Sequence, residues 1–206
     1  MPVEQGSNLP VLEIRRIAVI GAGPAGRHFA AACLRAGLQV TLEDVMPANL
    51  RRAEADLAAI SGLLDLALTV EDAVREADLA IDFVPDELES KLEIFSMADR
   101  MAPPRTILCT PTEVLSITDL ASCVYRPDRC FALRGLPFAS GSQPGAKLDL
   151  LYPSAADPAA LASVERFLSD LGFQSTALLD PEPPLLVKNQ PEDTQRASQR
   201  PPARNS

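Results

Sequence analysis

Three glycines near the start of the chain have the spacing of a phosphate-binding turn. The turn follows an apolar run at residues 17–20 and consists of Gly21, Ala22, Gly23, Pro24, Ala25 and Gly26. In such a turn the first glycine allows a sharp bend, the second lets a pyrophosphate approach the backbone, and the third lets the next helix lie close to the sheet. Free N–H groups at the helix start then face the phosphates. We predict that this segment binds a dinucleotide.

An acidic residue supports this prediction. Asp44 lies 18 residues after Gly26, beyond a second apolar run at residues 38–42. A carboxylate at this place accepts hydrogen bonds from the ribose 2′-OH of NAD and repels the 2′-phosphate of NADP. We therefore favour NAD, while Arg51 and Arg52 leave NADP as an alternative. A glycine turn in an α/β protein that binds no nucleotide would also explain these residues.

The elements that must position these residues alternate along the chain. After the glycine turn, Phe29, Cys33 and Leu34 recur on one helical face, and Gly37 is placed to end that helix. Further helices are predicted at 50–64, 71–76, 87–101, 116–123 and 158–171, and strands at 17–20, 38–42, 66–69, 79–84, 106–110, 129–133, 148–152 and 173–179. The pattern predicts an α/β fold: one Rossmann-type, doubly wound domain whose mostly parallel sheet carries helices on both faces.

Composition sets limits on organisation and partners. The 206 residues carry a net charge of −9, which argues against a nucleic-acid surface. No run approaches the roughly 20 apolar residues of a membrane span, so we expect no membrane partner. We predict a flexible lead-in at 1–12, the NAD-binding domain at 13–182, a loop at 139–145 and a disordered, proline-rich polar tail at 183–206.

The cysteines and the N-terminus indicate a cytoplasmic protein. Cys33, Cys109, Cys123 and Cys130 form no CxxC pair, so we expect free thiols in a reducing compartment and no metal site. The N-terminal residues lack the basic start and apolar core of a signal peptide.

Longer motifs add a family resemblance that covers about residues 15–180. The segments are IAVIGAGPAGR followed by VTLED, then EDAVREADLAIDFVPDELESKLEIFSMADRMAPPRTIL, and then LSITDLASCVYRPDRC. Together they resemble the N-terminal NAD-binding domain of the 3-hydroxyacyl-CoA dehydrogenases. The resemblance implies NAD as the cofactor and places Asp86 and Lys91 beside it. The alternative for these two residues is a solvated helix start.

The resemblance breaks at the catalytic residues. The family uses a His, held by a Glu, to take the proton of the substrate 3-hydroxyl. The matching position of the His falls near Arg134, and arginine stays protonated and is no general base at neutral pH. The matching Glu falls near Asp149 or Leu150. The chain's one histidine, His28, belongs instead to the first predicted helix.

A second family element is also altered. An Asn-Thr-Ser-Ser-like run is replaced by Pro111-Thr112-Glu113-Val114, so that only the threonine remains. Glu113 is a candidate for a new base, and Arg134 is a candidate for holding a carboxylate or a CoA phosphate. In the alternative interpretation both are polar loop residues that pair with each other.

Two functional hypotheses follow. The first is an NAD-linked oxidoreductase that acts on a 3-hydroxyacyl-CoA or a related 3-hydroxy acid, with degenerate catalytic residues. The second is a non-catalytic NAD(H)-binding module. The resemblance also leads us to expect that the family's helical C-terminal domain is lacking, so that a homodimer or a partner subunit would complete the substrate site.

Overall fold

A single eight-stranded sheet forms the centre of the protein in a computed structural model that describes residues 11–135 and 145–180. The strands are β1 (Arg16–Ile20), β2 (Gln39–Glu43), β3 (Leu64–Ala67), β4 (Leu79–Asp82), β5 (Ile107–Pro111), β6 (Cys130–Arg134), β7 (Lys147–Tyr152) and β8 (Gln174–Leu179). The helices are α1 (Pro24–Arg35), α2 (Pro47–Leu57), α3 (Val70–Val74), α4 (Leu88–Met101), α5 (Ile117–Ser122) and α6 (Pro158–Asp170). A short 3₁₀ turn at Pro127–Arg129 precedes β6.

The strand order is β3-β2-β1-β4-β5-β6-β7-β8. Strands β1 to β6 are parallel, and β7 runs antiparallel to β6 and parallel to β8. The chain leaves β1 toward β2 on one side and returns to place β4 on the other. This reversal creates a crevice at the carboxyl ends of β1 and β4, where ligands bind in doubly wound sheets.

Two apolar layers cover the two faces of the sheet. Val19 of β1 packs in one layer with Phe29 of α1 and Phe167 of α6, whose ring centroids are 6.2 Å apart. Ile20 packs in the other layer with Phe95 of α4. Successive strand residues point to opposite faces, so β1 contributes to both layers. The predicted doubly wound, mostly parallel Rossmann-type fold is confirmed.

Several predicted boundaries are wrong. The second helix spans Pro47–Leu57 rather than 50–64, because Pro47 occupies a first-turn position where its missing N–H costs nothing. The helix ends before Gly62, where a Cβ would meet Leu34 Cδ2 at 2.9 Å. Strand β3 accordingly begins at Leu64, two residues earlier than the predicted 66–69.

Other predictions agree with the structure or lie outside its reach. Helices α5 and α6 begin at Ile117 and Pro158, within one residue of the predicted 116 and 158, and the side chains of Ser116 and Asp157 cap them. The four cysteines are free, and three of them are buried. Most of the predicted loop at 139–145, the tail at 183–206 and most of the lead-in at 1–12 lie outside the described residues. Within 11–135 and 145–180, no helix combines the length and apolar character that a membrane span requires.

Candidate cofactor and active site

The glycine turn lies at the carboxyl end of β1, and the packing of the protein constrains two of its three glycines. Gly21 adopts φ +98°, a left-handed conformation that favours glycine, and its N–H donates to the carbonyl of Glu43 at 2.9 Å. A Cβ on Gly26 would overlap with the carbonyl oxygen of Gly21. A Cβ on Gly23 would meet nothing within 4 Å. The packing of the protein therefore requires glycine at 21 and 26, whereas Gly23 leaves open space.

The open space at Gly23 fits a pyrophosphate. Gly23 is the N-cap of α1, and no side chain among the described residues caps this end of the helix. Pro24 and Ala25 form the first turn, where proline is tolerated. The backbone N–H groups and the positive end of the helix dipole thus remain available to an anion.

Asp44 anchors the glycine turn through hydrogen bonds of its side chain. Its Oδ2 accepts hydrogen bonds from the Ala22 N–H at 2.9 Å and from Asn49 Nδ2 at 3.0 Å, and its Oδ1 accepts one from the Met46 N–H at 2.8 Å. Each carboxylate oxygen has two lone pairs, so Oδ1 retains one for a further donor. The contact of Asp44 with a ribose stays a prediction, and the anchoring role is one that spacing alone did not reveal.

Glu43 is a second acid at the same turn that the sequence interpretation missed. Its side chain is only 3 % exposed, and its Oε1 has no hydrogen-bond partner among the described residues. Burial raises the pKa of Glu43 to about 7, with a further contribution from the charge of Asp44. The side chains of adjacent residues at the end of a strand, such as Glu43 and Asp44, point to opposite faces of the sheet. Because helices cover both faces of this sheet, the two adjacent acids are the sequence signal that could have predicted a buried carboxylate.

The ends of β4, β5 and β6 carry the other predicted site residues. Asp86 Oδ2 accepts from the N–H of Glu113 at 2.9 Å, and Glu113 Oε1 accepts from the N–H of Gly135 at 2.9 Å. Both acids are exposed. Two side chain to backbone hydrogen bonds therefore tie the three strand ends together.

Arg134 lies at the end of β6 beside this chain of hydrogen bonds. Its Nε is buried and has no hydrogen-bond partner in the described part of the chain. The ion pairs between described residues include none between Arg134 and Glu113, so the predicted alternative that they pair with each other is wrong. Asp149 lies opposite Arg134 in the β6–β7 register and forms no ion pair with it either.

Lys91 is buried in the interior of the protein and does not lie on the exposed carboxyl edge of the sheet. Its side chain is 0 % exposed, and its Nζ donates to Asp82 Oδ1 at 2.9 Å and to Thr110 Oγ1 at 2.8 Å. The alternative of a solvated helix start is wrong for Lys91. Burial raises the pKa of Asp82, and the charge of Lys91 opposes that effect. This cluster ties α4 to β4 and β5, the two strands that precede Asp86 and Glu113 in the chain.

Thr112, the remaining member of the altered run, has a local role. Its Oγ1 accepts from the N–H groups of Val114 at 3.3 Å and Leu115 at 2.9 Å, which closes the loop after β5. His28 is exposed on α1. No group of His, Cys, Asp or Glu side chains within residues 11–135 and 145–180 is arranged to hold a metal ion.

Helix α1, which no described side chain caps, starts beside the open Gly23, at the switch point of a doubly wound sheet. This is the arrangement of a Rossmann-type dinucleotide-binding domain. Residues 16–172 match the model of the 3-hydroxyacyl-CoA dehydrogenase, NAD binding domain. The chain belongs to the 3-hydroxyacyl-CoA dehydrogenase family, and its cofactor is NAD.

Individual relatives agree with this family. The chain is 31 % identical over 140 residues to the probable 3-hydroxybutyryl-CoA dehydrogenase of Bacillus subtilis, covering 59 % of this chain and 48 % of that protein. It is 34 % identical over 131 residues to 5-formyl-3-hydroxy-2-methylpyridine 4-carboxylate 5-dehydrogenase of Mesorhizobium japonicum, covering 56 % and 42 %. The chain thus spans about half the length of these curated relatives.

The fold is also that of solved members. The structure of (S)-3-hydroxybutyryl-CoA dehydrogenase from Ralstonia eutropha superposes with a TM-score of 0.72 at 21 % identity, covering 82 % of this chain and 64 % of that one. This similarity concerns the fold alone.

Proposed function

We propose that this chain is the cofactor-binding domain of an NAD-linked oxidoreductase that acts on a 3-hydroxyacyl-CoA or a related 3-hydroxy acid. The observation that carries the proposal is the juxtaposition, at one edge of the sheet, of the open Gly23 turn with the linked strand ends of Asp86, Glu113 and Arg134. The name of the Bacillus subtilis relative, a probable 3-hydroxybutyryl-CoA dehydrogenase, supports the substrate class.

The two halves of the carboxyl edge of the sheet would bind different parts of the cofactor. The N–H groups at the start of α1 bind the pyrophosphate, and the remaining lone pair of Asp44 Oδ1 accepts from the adenosine ribose. An acid after β2 would hold the adenosine half at β1–β2, which leaves the ends of β4 and β5 for the nicotinamide half. Asp86 is then placed to contact that half. Lys91 holds α4 against β4 and β5 from beneath, so a direct contact of Lys91 with NAD requires it to leave Asp82.

The chemistry needs an acceptor for a hydride and one for a proton. Bound NAD⁺ supplies the hydride acceptor for the hydrogen on C3 of the substrate. Glu113 takes the proton of the 3-hydroxyl, because it is the exposed carboxylate at the end of β5 and a general base must reach that proton. The Gly135 N–H holds Glu113 Oε1 and leaves Oε2 to act.

A non-catalytic NAD(H)-binding module is the second candidate. It is favoured by the position of the chain's one histidine, His28, on α1, and by the arginine at position 134. An arginine keeps its proton and does no acid–base work at neutral pH. In that case a homodimer or a partner subunit supplies the catalytic groups. A cytoplasmic location stays a prediction for both candidates.

Two measurements on the purified chain test the proposal. NADH is titrated by calorimetry into the wild-type chain and Gly23→Trp, where we expect one-site binding that the variant loses. NADH oxidation is then followed with acetoacetyl-CoA or acetoacetate for the wild-type chain, Glu113→Gln and the exposed α4 control Glu93→Gln. Turnover that only Glu113→Gln abolishes supports the enzyme. Tight NADH binding without turnover supports the module, and no binding at millimolar NADH contradicts both.

A further inference from the structure

We infer that Arg134 binds the carboxylate of the substrate, and that this site therefore takes a free 3-hydroxy acid in preference to its CoA thioester. This inference rests on the proposed oxidoreductase function and specifies its substrate class.

Arg134 forms no ion pair with the two acids nearest to it among the described residues. Asp149 is its register partner on β7, and Glu113 is bound to the N–H of the next residue, Gly135, yet neither carboxylate forms an ion pair with the guanidinium. The Nε atom is buried without a partner among the described residues. A polar group withdrawn from water without a hydrogen bond costs free energy. Arg134 as a whole is only partly buried, so an anion that binds its guanidinium group would offset part of that cost.

The position of Arg134 places this anion close to the chemistry. Arg134 ends β6, the strand next to β5 with its candidate base Glu113. This is the nicotinamide half of the edge, since Asp44 and β2 fix the other half. Lys147 begins β7 at the same edge, with its carbonyl oxygen 4.0 Å from where a Cβ of Gly135 would lie, and its exposed side chain adds positive charge.

The chemistry of the two substrate forms separates them. In a 3-hydroxy acid the carboxylate is two bonds from C3, so one molecule can reach both Arg134 and Glu113. In a CoA thioester the corresponding carbonyl is neutral, and the phosphates lie at the far end of the pantetheine arm. The planar guanidinium matches a carboxylate with two parallel hydrogen bonds. An arginine that cannot act as a base is thus suited to orient the substrate for one.

The test measures binding separately from turnover. NADH is first titrated into the wild-type chain, Arg134→Leu, Arg134→Lys and the control Arg166→Leu, and all four should bind it within about twofold. Arg166 lies on α6 and makes an exposed pair with Asp170, so its removal reproduces the charge change away from the site. Thermal unfolding confirms that each variant is folded. 3-Hydroxybutyrate and, separately, free CoA are then titrated in the presence of NAD⁺.

We expect 3-hydroxybutyrate to bind the wild-type chain and Arg166→Leu. Arg134→Leu should weaken the binding of 3-hydroxybutyrate by about 10- to 100-fold, because the hydrogen bonds from the guanidinium to the carboxylate are lost. The affinity of Arg134→Lys for 3-hydroxybutyrate should lie between those of the wild-type chain and Arg134→Leu. NADH binding without 3-hydroxybutyrate binding, equal binding to Arg134→Leu, or an Arg134-dependent affinity for CoA alone would each overturn the inference. If NADH does not bind, the proposed function itself fails, and the inference fails with it.

Discussion

Lys91 Nζ and Asp82 Oδ1 lie 2.9 Å apart, in an ion pair whose side chains are 0 % and 1 % exposed. Thr110 accepts a second hydrogen bond from Lys91, so the cation has two partners in the core. The pair joins the helix that follows β4 to the ends of β4 and β5. It therefore links α4 to the two strands whose following loops carry Asp86 and Glu113.

Breaking this buried pair should destabilise the protein strongly. Lys91→Met leaves Asp82 buried without its counter-ion, and we expect a loss of about 3–5 kcal/mol in the free energy of unfolding. The matched control is Arg166→Met, which breaks an exposed pair and should cost less than about 1 kcal/mol. Denaturant titration gives both values. The double variant Asp82→Leu/Lys91→Met should recover much of the loss, and equal losses in Lys91→Met and the control would contradict this account.

The pH dependence of stability should report on Glu43. In the folded protein its pKa is raised to about 7 from 4.5, so the folded state binds the proton more tightly than the unfolded state. The stability contributed by this group is therefore lost as the pH rises from about 4.5 to about 7. Glu43→Gln removes this dependence. The melting temperature of the variant minus that of the wild type should therefore be higher at pH 8 than at pH 5.

Glu93→Gln, an exposed acid on α4, serves as the control for Glu43 and should follow the wild type at both pH values. A melting-temperature difference between Glu43→Gln and the wild type that is constant with pH would show that Glu43 is ionised throughout this range.

Two alanine substitutions should separate folding from cofactor binding. Gly23→Ala places a Cβ in open space, so we expect an unchanged melting temperature but NADH affinity weakened by about tenfold, or about 1.4 kcal/mol. Gly26→Ala forces a Cβ onto the Gly21 carbonyl and should cost about 3 kcal/mol of stability. Calorimetry and thermal unfolding of both variants check this. Normal NADH affinity in Gly23→Ala would place the pyrophosphate elsewhere.

Asp44 can be tested for its two roles with two cofactors. Asp44→Ala leaves the buried Ala22 N–H without its acceptor and should cost about 1–3 kcal/mol of stability. If Asp44 also contacts the ribose, the affinity for NADH should fall much more than the affinity for NADPH, because the substitution also removes the repulsion of the 2′-phosphate. Asn49→Ala, which removes only a donor to Asp44, should leave the NADH to NADPH ratio unchanged. Equal weakening of both cofactors would restrict Asp44 to anchoring the turn.

The sequence was sufficient where local patterns decide the structure. The glycine spacing, the apolar run before it and Asp44 after it predicted the first βαβ unit, because each residue meets a backbone or packing need within that unit. The antiparallel direction of β7 could not be read in the same way, since an apolar strand has the same composition in either direction. The burial of Lys91 was also hidden, because it depends on Asp82 and Thr110, which belong to two other elements. Contacts of Asp44, Asp86 and Lys91 with NAD stay predictions.

The unequal demands on the three glycines affect how related sequences should be compared. A chain that has abandoned nucleotides must still keep glycine at 21 and 26, because the packing of the empty protein requires both. Only position 23 is released from constraint when the ligand is no longer needed. Among related sequences, a residue other than glycine at position 23, with glycine kept at 21 and 26, would therefore identify proteins that keep the fold but no longer bind the cofactor.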